Sequence, residues 1–188
     1  MVQLWRAFGD LVPLFLIIVL AICITIDFVN KKKKIDFKRL ILNILFGLSI
    51  IGILLVTVYP RYYGMETPRI INIVPFVGMY DIMFRSVDIA VPIRNLGLNV
   101  LLFVPFGFFL SLKISSLQNK ITLIVILTGL LLSLFIEVFQ FSIPMGRSAD
   151  IDDLILNTIG AFIGYIIWTF YSKFPSISLS KGTSNGHF

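Results

Sequence analysis

ITLIVILTGLLLSLFIEVFQF, residues 121–141, is an unbroken apolar run with one charge, Glu137. A helix needs roughly 20 such residues to cross the hydrocarbon core of a bilayer, where every backbone polar group must be satisfied inside the segment. Runs of similar length stand at Leu11–Val29, Leu40–Tyr59, Leu96–Leu112 and Leu154–Tyr171. The run at Leu96–Leu112 is the weakest of them, being short and holding Asn99, Pro105 and Gly107. The apolar residues come in blocks, not in amphipathic stripes. With 57% hydrophobic and 14% charged residues, the chain has too little polar surface to cover a soluble domain. The sequence therefore predicts an all-α, polytopic integral membrane helix bundle. It has about five transmembrane helices and a partly helical outer loop.

This is read as one transmembrane domain over residues 1–173, with no dividing linker. Residues 174–188, FPSISLSKGTSNGHF, are small and polar and are expected to form a disordered tail. The first apolar run is too long for the core of a cleavable signal and no small-x-small site comes after it. Its positive charge, Lys31–Lys34, comes after the run and not before. It is read as a retained helix.

Several chemistries are excluded by count. Cys23 is alone, so no internal disulfide forms, and the sole histidine, His187, is next to the last residue. Ser-His-Asp and Cys-His catalysis and ordinary Cys/His zinc sites lack their parts. No phosphate-binding glycine loop and no internal repeat is present. No cofactor, no resident metal and no nucleic-acid partner is expected.

The net charge of +6 is unevenly placed. Five alternating spans put all nine lysines on one face and Arg6, Arg61, Arg69, Arg85, Arg94 and Arg147, six of the seven arginines, on the other. The lysine-rich face is expected to be cytoplasmic, which places the N-terminus outside and the C-terminus inside. The lysines suit anionic-lipid anchors. The outer arginines weaken that topology. They either pair with outer acids or grip a carboxylate or phosphate with their planar fork.

Between the second and third runs, residues 60–94 remain rich in apolar side chains. Asp81, Arg85 and Asp88 recur at helical spacing, which suits a short helix in the outer interface ended by Pro92. Ahead of it, NIVPF (Asn72–Phe76) either dips into the outer mouth of the bundle or lies as a surface loop. The inner loop at Ser115–Lys120 is short and predicts an antiparallel hairpin of the third and fourth helices.

Polar groups inside spans are expensive and call for a partner or a purpose. Ser133, Glu137 and Gln140 share one helical face near the outer end of the fourth helix. Asp150, Asp153, Asn157, Gly160 and Gly164 form a stripe on the fifth, and Asn95 and Asn99 add a third. Packed together, these stripes converge on one outward-opening polar pocket. The asparagines and glycines also fit a purely structural role, as interhelical glue and a close-packing face, and the aspartates fit a helix N-terminus. Glu137 is the candidate catalytic or binding carboxylate. Arg147, ten residues on, is the ion partner that the sequence offers.

The run IEVFQFSIPMGRSADIDDLILNTIGAFIGY resembles the core of VanZ-like membrane proteins, a family named for a teicoplanin-resistance protein. The shared pattern is E-x-x-Q, a turn, then R-x-x-D-x-x-D-x-x-x-N-x-x-G. It falls on Glu137, Gln140, Arg147, Asp150, Asp153, Asn157 and Gly160. NIVPF with Asn72, and NLGLNVLLFVPFGFFL with Asn99, match upstream, so the likeness covers residues 72–165. The resemblance implies a multi-pass protein of the bacterial cell membrane, in some members linked to reduced glycopeptide susceptibility. It supplies no mechanism.

Three functions fit. The first is a binding protein that holds an anionic or peptide-like group of an envelope lipid precursor or a lipoglycopeptide antibiotic. Glu137, Gln140, Arg147, Asp150, Asp153, Asn157, Asn99 and Asn72 would line the site. The second is a membrane enzyme on a lipid-linked substrate, with Glu137 as acid or base and a divalent cation on Asp150 and Asp153. The third is a transporter. The binding reading is preferred. Membrane lipids are expected partners, and a homo-oligomer is compatible with the sequence.

Overall fold

The computed structural model describes residues 11–30, 36–58, 71–142 and 149–173, with only the backbone of 11, 22–30, 58, 94 and 118. Residues 174–188, and with them the expected tail, lie outside the described residues. Six helices are present among those described: α1 (Leu11–Asn30), α2 (Phe37–Val58), α3 (Val77–Arg85), α4 (Ala90–Lys113), α5 (Ile121–Ser142) and α6 (Ile151–Lys173). The last three and α2 are long and apolar enough to cross a membrane, and α1 adds an apolar helix beside them. The protein is thus an all-α polytopic membrane bundle, as the apolar runs predict.

Helix boundaries obey local chemistry. Asp36 Oδ1 accepts the Lys38 and Arg39 amides at 3.1 and 3.4 Å and so caps the start of α2. Within the spans, Thr57, Ser111 and Thr128 return their hydroxyls to carbonyls one turn back at 2.6–2.7 Å, so none is left unpaired in hydrocarbon.

Two expectations need correction. The interfacial helix α3 stops at Arg85 and not at Pro92. Ser86, at φ −70° and ψ 131°, turns the chain to extended geometry. Asp81 and Arg85 do share a face, as a 3.3 Å ion pair, but Asp88 lies beyond the helix and its carboxylate takes the Ala90 amide at 2.9 Å. Pro92 sits in the first turn of α4, where a missing N–H removes no helical hydrogen bond. The third span therefore starts at Ala90, well before Leu96, and passes through a π-helical turn at Ile93–Gly97.

The expected hairpin also differs in its packing. A 3₁₀ turn at Ser115–Lys120 joins α4 to α5 and the two touch, but both pack more extensively on α6. Glycine explains the α4–α6 contact. A Cβ on Gly160 would stand 2.2 Å from the Val100 carbonyl oxygen, and one on Gly164 would stand 2.2 Å from that of Val104. Lipid tails are as apolar as leucine, so such close backbone packing supplies the attraction that the hydrophobic effect cannot. Around it lies a core of Ile53, Phe103, Phe106, Val125, Ile136 and Ala161.

Candidate functional site

The C-terminal ends of α2 and α5 meet the N-terminal halves of α4 and α6 at one end of the bundle. Lys38, Lys113, Lys120 and Lys173, the described lysines, belong to the opposite helix ends. The Glu137 end is built around the two residues before α6. Ala149 and Asp150 pair in parallel with Ile71 and Asn72. Asp150 Oδ1 accepts the Asp152 amide at 2.9 Å, which caps α6, and also the Asn72 side-chain amide at 3.2 Å. The Asp150 amide donates to Glu137 Oε2 at 3.0 Å. Glu137 is 7% exposed, so this bond lies within the packed interior.

Asp152, 3% exposed, caps a helix that is not its own. The N-cap of α3 is Phe76, which sits in the left-handed region at φ 70° and has no side-chain oxygen to offer. The Asp152 carboxylate accepts the Phe76 amide at 2.7 Å and the Met79 amide at 2.9 Å instead. These are amides of the kind that a helix N-terminus leaves without partners, and the helix dipole there favours an anion. Gly78 permits the approach. A Cβ on it would lie 3.1 Å from Asp152 Oδ2, 3.2 Å from Asp150 Oδ2 and 3.3 Å from Asn72 Nδ2.

Deeper in the bundle the helices are tied side to side. Asn99 of α4 donates its amide to Asp153 Oδ1 of α6. Gln140 Nε2 donates to the Thr57 carbonyl at 2.7 Å, meeting an acceptor near the C-terminus of α2. Asn157 Nδ2 donates to Ser133 Oγ at 2.8 Å, one turn below Asp153 and Glu137. Asn157 Oδ1 is buried and, among the described residues, has no hydrogen-bond partner.

Of the residues expected at a pocket, Asn72, Glu137 and Asp150 are joined directly. Asn99–Asp153, Gln140–Thr57 and Asn157–Ser133 are separate bridges around them. NIVPF is held to the start of α6, while Ile73, Val74 and Phe76 remain exposed. Arg147, and with it the expected ion pair to Glu137, lies outside the described residues. Asp152 is absent from the expected set. It lies in register with Leu156, Gly160 and Gly164 at four-residue spacing, so extending the glycine face backwards would have found it. Among the described residues, no three Asp, Glu, His or Cys side chains gather as a metal-binding group.

The VanZ/LLP1 family model matches residues 40–172, most of the chain. The chain belongs to the VanZ/LLP1 family. The match runs from α2 to the end of α6 and so takes in every residue of the polar cluster. A VanZ/LLP1 relative, Protein VanZ of Enterococcus faecium, is 34% identical over 77 residues. The aligned stretch is 40% of this chain and 44% of the relative, less than half of that protein's length. No solved structure matches the chain.

Proposed function

We propose that this VanZ/LLP1 protein is a binding protein of the bacterial cell membrane, with its N-terminus outside and its C-terminus in the cytoplasm. The lysines at one end of the bundle support that orientation through the positive-inside rule. The polar cluster then faces outward. Its ligand is an anionic or peptide-like group of an envelope lipid precursor or a lipoglycopeptide antibiotic. Binding lowers susceptibility to teicoplanin-type glycopeptides, a reading that the relation to Protein VanZ supports.

One observation carries the binding reading. Acceptors from α5 and α6 converge at the Glu137 end, and one of them, Asn157 Oδ1, is buried without a donor among the described residues. An unpaired amide oxygen in an apolar interior costs about 1–3 kcal/mol, so it favours a group that brings an N–H or O–H. Peptide-like groups bring such donors. Arg147 and a loop arginine, Arg61 or Arg69, would supply the grip on an anionic part.

An enzyme on a lipid-linked envelope substrate is the second reading, favoured by the placement of Glu137 beside helix termini. Incubation of the purified protein with an envelope lipid extract separates the two. The binding reading expects one lipid or peptide to be retained in stoichiometric amount and recovered unchanged. Catalytic conversion of the retained species overturns it in favour of the enzyme.

A further inference from the structure

A cleft of about 360 Å³ lies between α1, α2 and α4. Phe15, Leu45, Ser49, Gly52, Leu98 and Pro105 are among the residues that line it. Among the described residues its one polar side chain is Ser49, whose hydroxyl donates to the Phe46 carbonyl at 2.7 Å. The cleft therefore offers no hydrogen bond and suits a hydrocarbon occupant only. It is continuous with the lipid-facing surface of the bundle, since Leu101 and Leu45 line it while remaining 63% and 38% exposed. Along α4 the lining runs from Leu98 to Phe109, a rise of about 16 Å, close to half of the ~30 Å hydrocarbon thickness. That is the reach of a chain in one leaflet.

The cleft adjoins the polar cluster through the two helices that wall it. Ile53 of α2 lines the cleft, and one turn on is Thr57, whose carbonyl receives Gln140. Leu98 of α4 lines it, and the next residue, Asn99, bonds Asp153. We propose that the cleft seats one acyl chain of a membrane lipid whose polar end engages the Glu137 cluster. The ligand is thus an amphiphile, with its head and tail read by separate parts of the fold. This rests on the binding reading above and names the class of its ligand. A tail alone gains little, because the cleft is no more apolar than bulk lipid. Retention comes from the head, and the cleft selects for a chain attached to it.

The test is photolabelling in lipid nanodiscs with phosphatidylglycerol that carries a diazirine in one acyl chain. Gly52→Leu fills the cleft at a position where an added Cβ meets nothing within 4 Å, so the bundle has no reason to shift. Gly47→Leu, on the same helix and equally open but outside the lining, is the control. The expected result is saturable labelling of cleft residues on α2 and α4, competed by unlabelled lipid, lost in Gly52→Leu and kept in Gly47→Leu. Labelling that never saturates and spreads to lipid-facing Leu123, Leu131 and Phe170 overturns the proposal. So does labelling unchanged in Gly52→Leu, or a second copy of the chain crosslinked through the cleft. Glu137→Gln separates this inference from the reading beneath it. Saturable cleft labelling that is equal in wild type and Glu137→Gln supports the chain site and removes the polar cluster as its head-group site.

Discussion

Glu137 Oε2 accepts the backbone amide of Asp150 at 3.0 Å, across the connection between the two last membrane helices. The bond joins the end of α5 to the capping residue of α6, and through Asp150 to Asn72 of the distant NIVPF segment. Two carboxylates, Glu137 and Asp150, thus couple the end of α5, the start of α6 and the NIVPF segment.

Asp152→Ala should destabilise the fold more than any other single change in the acidic cluster. It removes the acceptor of both the Phe76 and Met79 amides and leaves the start of α3 uncapped. Hydrogen bonds to charged groups are worth about 1.5–3 kcal/mol each, so a loss of about 3 kcal/mol is expected. Asp152→Asn should fall between, since its amide keeps one acceptor. Thermal unfolding in detergent measures both. Wild-type Tm in Asp152→Ala would mean that α3 is held by something else.

Gly160→Leu should lower Tm while leaving membrane insertion intact. Its side chain would collide with the Val100 carbonyl, so α4 and α6 must part. Overpacking of this kind costs about 1–3 kcal/mol. An unchanged Tm would place this face against lipid and contradict the packing.

Much of this fold is legible in the sequence because apolar runs of membrane length admit few readings. The Glu137, Asp150 and Asn72 relation is partly legible, since polar residues on apolar helices stand out. Asp152 is not, because three acids at one helix start look equivalent until packing buries one of them. The early start of α4 is also hidden. The spacing ends a short interfacial helix at Pro92 and starts the apolar run at Leu96, yet Pro92 is harmless in a first turn, and a π turn carries the helix through Ile93–Gly97. Asp88 misleads for a related reason: helical spacing continues past a helix end, and its carboxylate serves the next helix instead.

Orientation is checked by cysteine labelling of intact cells in a Cys23→Ser background. Val87→Cys, in the exposed connection between α3 and α4, should react with an impermeant reagent. Lys120→Cys, at the opposite end, should react only after the membrane is opened. The reverse pattern would put the polar cluster in the cytoplasm and end the proposed outward site.

Glu137→Gln, with Arg147→Lys beside it, tests the central claim most directly. The measurement is teicoplanin susceptibility of cells expressing each variant, normalised to membrane-inserted protein, with thermal stability measured in parallel. Glutamine keeps the shape of Glu137 and an oxygen for the Asp150 amide but removes the charge, and lysine keeps the charge of Arg147 without its fork. If the cluster binds a ligand through these groups, protection should fall about tenfold or more in both, the scale of a lost charge-assisted hydrogen bond, while protein level and Tm hold. Wild-type protection in both variants, or losses fully explained by abundance, would contradict the account.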